Sequence, residues 1–158
     1  MVIVHDKRNA VENCKDYTLN KIKVKYTMTI KQEICGERSD LCVLVCGGRN
    51  FNDSESVFKI LDAVHVKLKI REIVNGAARG ADKISSDWAQ KNSIRLKEYP
   101  AMWNEFGPSA GPIRNSRMIS ENQIDLVVAF PGGKGTRDMI KKSRSAGIKV
   151  LEVDESCQ

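Results

Sequence analysis

IDLVVAFPGGKGTRDMI, residues 124–140, is the stretch from which the fold of this chain can be read. It contains an unbroken apolar run, 126–130, that stops at Pro131 and turns through Gly132, Gly133, Lys134 and Gly135. From Thr136 the pattern predicts a helix. An apolar run without alternation, bounded by turn residues, predicts a strand buried on both faces, as in a parallel sheet. Glycines in such a turn let a ligand approach the main chain closely. The first amides of the following helix have no partners within the helix, and its dipole adds partial positive charge there. Strand, glycine turn and helix in that order form a place for a phosphate or another anion, with Lys134 and Thr136 as side-chain helpers. Two familiar phosphate signatures are absent. Lys134 is followed by Gly135 rather than Ser or Thr, and Asp138 stands where G-x-G-x-x-G needs its third glycine. Read alone, the turn could also be a tight connection with no ligand.

Working outward, the chain from Leu41 alternates strands with helices. Residues 41–46 form a short apolar strand that ends at Gly47-Gly48-Arg49. Asp53 or Ser54 can cap a helix whose Val57, Ile60, Leu61, Val64 and Leu68 recur at helical spacing. A strand at 72–75 ends at Gly76, and a helix over 80–92 puts Ala81, Ile84 and Trp88 on one face. A strand at 94–99 is closed by Pro100, and an irregular stretch with Trp103, Phe106 and Gly107 leads to a helix near 110–121. After the central strand and turn, a helix runs to Ala146, Gly147 stops it, and 148–153 is a final strand. This order predicts an α/β fold, a three-layer sandwich with a mostly parallel sheet. In such folds ligands bind at the carboxyl ends of the strands, near a switch in strand order. Residues 1–40 differ. Ile22, Val24, Tyr26, Met28 and Ile30 alternate with mainly Lys and Thr, which predicts a strand with one wet face. The expected division is therefore an N-terminal β-containing extension, 1–40, joined by a linker at 36–40 to an α/β domain, 41–158. The extension should pack on the main sheet or on another subunit.

The chain has 158 residues, enough for one domain with a substantial core, and its charged share of 29% is ordinary for a soluble protein. No apolar run approaches a membrane span, and MVIVHDKRN is charged too early for a secretory signal; the expected location is the cytoplasm. The five cysteines are odd in number and include no C-x-x-C pair, so neither a disulfide framework nor a zinc site is expected. Cys42 and Cys46 read as buried free thiols. With only His5 and His65 available, nucleophile–histidine catalysis has little to work with. A net charge of +6 favours anionic partners without choosing among them, and an aromatic share of 6% argues against a single-strand binding stripe.

Five motifs stand in order: CGGRNF at 46–51, NGAARGAD at 75–82, YPAMW at 99–103, GPIRN at 111–115 and AFPGGKGT at 129–136. Together they closely resemble the YspA-like branch of the SLOG superfamily, named for the SMF/DprA and "lonely guy" proteins. The resemblance spans about 41–153 and leaves the first forty residues outside. It implies a Rossmann-like fold whose pocket takes nucleotides or nucleotide-derived molecules. Within the superfamily, lonely-guy enzymes cleave the base from nucleoside 5′-monophosphates, DprA proteins bind single-stranded DNA, and others sense cyclic nucleotide or ADP-ribose-type immune signals. YspA-like proteins also occur in phage genomes, where a binding protein could sequester such a signal. One departure is telling. The lonely-guy pattern P-G-G-x-G-T-x-x-E ends in a catalytic glutamate, and this chain has Met139 there. A thioether can neither accept a proton nor orient water. Asp138 is adjacent, but it points roughly 100° away around a helix.

The candidate ligand-binding residues are Gly47, Gly48, Arg49, Gly76, Ala77, Arg79, Gly80, Asp82, Arg114, Asn115, Pro131, Gly132, Gly133, Lys134, Gly135 and Thr136. Arg49, Arg79 and Arg114 border glycine turns and suit charge-assisted phosphate binding, or else surface positions and salt bridges. Asp82 could hold a ribose hydroxyl or act as an acid/base group, or simply favour a helix N-terminus. It is the candidate catalytic residue, and no metal site or cofactor is expected. Asn115 could bond a base or a phosphate, or the local backbone. Trp103 could stack on a nucleobase, although an aromatic plug beneath its loop is the favoured reading. The leading expectation is a module that binds a nucleotide-derived small molecule, sensing or sequestering it. Behind it stand a phosphoribohydrolase-like enzyme using Asp82 and, last, binding of single-stranded DNA. A homo-oligomer and no membrane partner are expected.

Overall fold

The computed structural model describes residues 40–153. The extension predicted over 1–40 lies, apart from Asp40, outside the described residues. The rest forms a five-stranded sheet in the order β3-β2-β1-β4-β5. The strands are β1 (Leu41–Cys46), β2 (Ile70–Asn75), β3 (Arg95–Glu98), β4 (Leu126–Ala129) and β5 (Lys149–Glu152). Every pairing is parallel, so "mostly parallel" becomes all-parallel for the described sheet. The helices are α1 (Ser54–Leu68), α2 (Ala81–Lys91), the short α3 (Trp103–Phe106), α4 (Ala110–Ser120) and α5 (Lys134–Ser145). A 3-10 turn, Gly107–Ser109, joins α3 to α4.

Strand alternation sorts the core into two layers. Val43 and Val45 of β1, with Ile73 and Val128, pack under α1 and α2. Cys42, Leu44 and Cys46, with Val74, Val127 and Ala129, pack with Met118 of α4 and Met139 of α5. All six residues of β1 are buried, which is why this central strand reads as an unbroken apolar run. Each such side chain contributes roughly 1.5–3 kcal/mol by leaving water. Helix α1 lays down Val57, Ile60, Leu61 and Val64, and Asp53 caps it by accepting from the Ser56 amide at 3.0 Å. Trp88 is fully buried, and its Nε1 donates to Asp62 at 2.8 Å, so the indole is accommodated without an orphaned donor. Gly147 ends α5 with φ of 72°. Among the described residues, no helix is long and apolar enough to cross a membrane.

Several boundaries move. β2 starts at Ile70 rather than 72, because Ile70 pairs with Leu41 at the foot of the sheet. α5 starts at Lys134 rather than Thr136, so the glycine turn is shorter than its composition implies. Gly80 lies just outside α2, at φ of 79°.

The strand order explains where a site can form. The chain leaves β1 toward β2 and β3, then crosses back through α3 and α4 to pair β4 with the other side of β1. The chains after β1 and β4 therefore lead to helices on opposite faces of the sheet, and their turns mark the switch in strand order at which such folds place ligands.

Candidate functional site

The turns at this edge are tied together through one residue. The Gly48 amide donates to the Pro131 carbonyl at 2.9 Å. The Gly48 carbonyl accepts from the amides of Phe51, at 3.1 Å, and Ala81, at 3.4 Å. Backbone bonds thus join the loops after β1 and β4 to the start of α2. The approach leaves no room for side chains: a Cβ on Gly132 would lie 2.7 Å from the Gly48 nitrogen and 2.1 Å from Thr136 Oγ1. Below, the rings of Phe51 and Phe130 meet at 5.4 Å between centroids and floor the corner.

Above the floor the backbone is bare. Gly133 is the N-cap of α5 and Gly80 the N-cap of α2, and neither helix has a side-chain cap. α5 also carries no acidic residue in its first turn. α1, on the same domain, has its Asp53 cap and Glu55. Open space surrounds Gly133 and Gly135, with no atom within 4 Å of a Cβ built on either. A helix start with no side-chain cap and no acidic first-turn residue is suited to an anion.

The β2 end of the crevice is filled by a polar bridge. Asp82 is 5% exposed and accepts from the amides of Gly76, at 3.1 Å, and Ala78, at 3.3 Å. The Arg114 guanidinium lies 3.9 Å from its Oδ2. Burial pushes the Asp82 carboxyl up to about 6, while Arg114, the two amides and Arg49 pull it back down. Arg114 is itself lowered by burial and partly restored by Asp82. It donates to the Gly76 carbonyl and, through Nε, to Asn115 Oδ1 at 3.0 Å. Asn115 passes the link on: its Nδ2 donates to the Gly135 carbonyl at 3.1 Å and to Asp138 at 2.9 Å. Ala77 takes a positive φ of 52°, with its amide turned onto Asn75 Oδ1 at 3.0 Å. Asn75, fully buried, also donates to the Asp82 carbonyl at 3.0 Å. It shapes this loop from within the core, and its sequence signal is its place at the head of NGAARGAD.

These contacts divide the candidates. Contacts link Gly47, Gly48, Gly80, Pro131, Gly132 and Thr136 in one corner, and Gly76, Asp82, Arg114 and Asn115 in the adjoining bridge. Thr136 is buried, facing Gly132, while Lys134, Arg49 and Arg79 are exposed. Arg114 is engaged in the fold rather than free. Trp103 departs from the favoured plug: it is 45% exposed, and Arg49 carries its guanidinium 4.9 Å from the ring centroid. The short α3 presents the indole outward instead of tucking it beneath the loop. Met139 is fully buried in the second core layer. Asp138 beside it is held by Asn115 and by Lys142, the latter at 2.7 Å. Among the described residues, no group of three or more His, Cys, Asp or Glu is arranged to hold a metal ion.

A family model described as "YspA, cpYpsA-related SLOG family" matches residues 41–106. The chain is also 33% identical over 117 residues to the Gene 61 protein of Mycobacterium phage D29, an alignment covering 69% of this chain and 93% of that protein. The chain belongs to the YspA-related SLOG family. No solved structure matches it. The matched SLOG segment runs from β1 through α3, and so includes the Gly48 junction, the Asn75–Asp82 loop and Trp103. The GPIRN and PGGKGT motifs lie beyond it and meet it in space through Arg114 and Pro131.

Proposed function

We propose that this SLOG domain binds a nucleotide-derived small molecule whose phosphate rests on the turn Pro131–Thr136. The observation that carries this reading is the junction at Gly48, where the starts of α2 and α5, neither with a side-chain cap, meet glycine backbone at the strand-order switch. Arg49 and Lys134, both exposed, are available to neutralise the ligand's charge. Kinship with a mycobacteriophage protein fits a role in which such a domain senses or sequesters a cyclic nucleotide or ADP-ribose-type signal. Denaturing the purified chain and identifying any released small molecule by mass spectrometry tests this, together with calorimetry of that molecule. Release of an unaltered nucleotide derivative supports binding; an absence of phosphorylated ligand, with no heat on adding candidates, rejects it.

A hydrolytic reading draws on one observation, a buried carboxylate raised to about 6 at the crevice. Asp82 would then act as acid or base on a nucleoside monophosphate. The carboxylate already accepts two backbone amides and faces Arg114, which suits a positioning role better than proton transfer. Incubation with nucleoside monophosphates decides: free base and ribose phosphate, lost in Asp82→Asn, would favour the enzyme.

A further inference from the structure

Outside the residues assigned to phosphate, apolar side chains gather around the loop and short helix that follow β3. Met102, Trp103, Phe106 and, on α4, Ile113 are 49%, 45%, 40% and 37% exposed. Large apolar groups left in water next to a polar crevice mark a place where something is bound. The indole is not loose. A Cβ on Gly111 of α4 would lie 3.4 Å from Trp103 Cη2, so the ring edge is close to that helix. Arg49 lies over the ring at 4.9 Å, and its chain neighbour Gly48 is the residue bonded to Pro131. One arginine therefore links the indole to the anion turn.

We propose that Trp103 is the base platform of this site, on which the purine of a phosphorylated nucleoside stacks while its phosphate lies on the turn Pro131–Thr136. The inference rests on the nucleotide reading above and narrows the ligand class, because a bare sugar phosphate would leave the indole unused. Indole offers the largest π surface of any side chain, and a purine overlaps it more fully than a pyrimidine does. A guanidinium can lie on an aromatic ring and bond a phosphate through its edge, so Arg49 serves both halves of one ligand. Lysine at that position would offer a point charge in place of the planar fork.

The test uses the full chain with two probes that share a phosphate and differ by the base, adenosine 5′-monophosphate and ribose 5-phosphate. The other tryptophan, Trp88, is fully buried, so a change in the emission of the exposed indole reports on Trp103. The expected result is that the adenosine probe quenches this emission and binds about ten-fold tighter than ribose 5-phosphate. Trp103→Ala should bring the two probes to the same affinity, and Trp103→Phe should keep most of the preference. Equal affinities in the unaltered protein, or a preference that survives Trp103→Ala, would overturn the base platform and leave the phosphate site standing. If neither probe binds, both the platform and the nucleotide reading fall.

Discussion

Gly80 and Gly135 both lie at the amino end of a helix on the carboxyl edge of the sheet, yet a methyl group would meet opposite surroundings at the two. At Gly80 the backbone has φ of 79°, and a Cβ would lie 2.1 Å from the Gly48 carbonyl oxygen. At Gly135 nothing stands within 4 Å. The first glycine is required by the fold, since it brings α2 against the β1 turn. At the second, the described fold leaves room for a side chain. The same contrast runs around α5, whose inward face buries Thr136, Met139 and Ser143 while Lys134 and Gly135 face out. One side of this edge is a packed corner, and the other is an open lip on which the proposed ligand would rest.

The strongest way to break this contrast is to put a charge on the packed side. Met139→Glu would restore the residue of the lonely-guy pattern, but it would bury a carboxylate in an apolar layer. It should cost on the order of 4 kcal/mol and create no hydrolase; urea unfolding and a nucleoside-monophosphate assay check both halves. Near-normal stability would show that position 139 is not packed as described. Gly80→Ala comes next, at about 3 kcal/mol, from backbone strain plus overlap with the carbonyl. An unchanged urea midpoint would mean that the Gly48 junction is not tight.

Asp82 sharpens the contrast through pH. Its carboxyl is raised from 3.8 to about 6, so the folded protein holds a proton that the unfolded chain has already released. Stability attached to that proton is present below about pH 4 and lost as pH rises through about 6, amounting to on the order of 3 kcal/mol. Thermal melting of Asp82→Asn should lack this decline between pH 4 and 6, and parallel profiles for the two proteins would contradict the buried, proton-holding carboxylate. The smallest effect belongs to the lip. Gly135→Ala should shift stability by less than about 1 kcal/mol, in the stabilising direction for a helix interior, while weakening ligand binding measured by calorimetry. A loss of several kcal/mol would place Gly135 among the packed glycines.

Much of the fold was legible because parallel strands and amphipathic helices write themselves locally. Val57, Ile60, Leu61 and Val64 recur at helical spacing, and 41–46 is apolar throughout because both faces are covered. The glycine turns were legible as turns, but sequence alone could not say which were packed and which open, since that depends on distant backbone such as the Gly48 carbonyl at Gly80. The bridge Arg114–Gly76–Asp82 joins α4 to the end of β2 across 38 positions of chain, and no local pattern encodes it. Trp103 was misjudged for a related reason. An indole beside Met102 and Phe106 looks like core until the shortness of α3 leaves all three exposed. The exposed cluster had a sequence signal after all, in large apolar residues crowded into a stretch without helical or strand periodicity.

The central claim is that the first-turn amides of α5, at the β4 turn, hold a phosphate. Amide-resolved NMR of the isotopically labelled chain, titrated with adenosine 5′-monophosphate, addresses it most directly. The account predicts saturable shifts concentrated at Gly48, Arg49 and residues 133–136, with residues of the opposite strand ends still. Shifts that are absent, or spread across surface lysines without saturation, would contradict it.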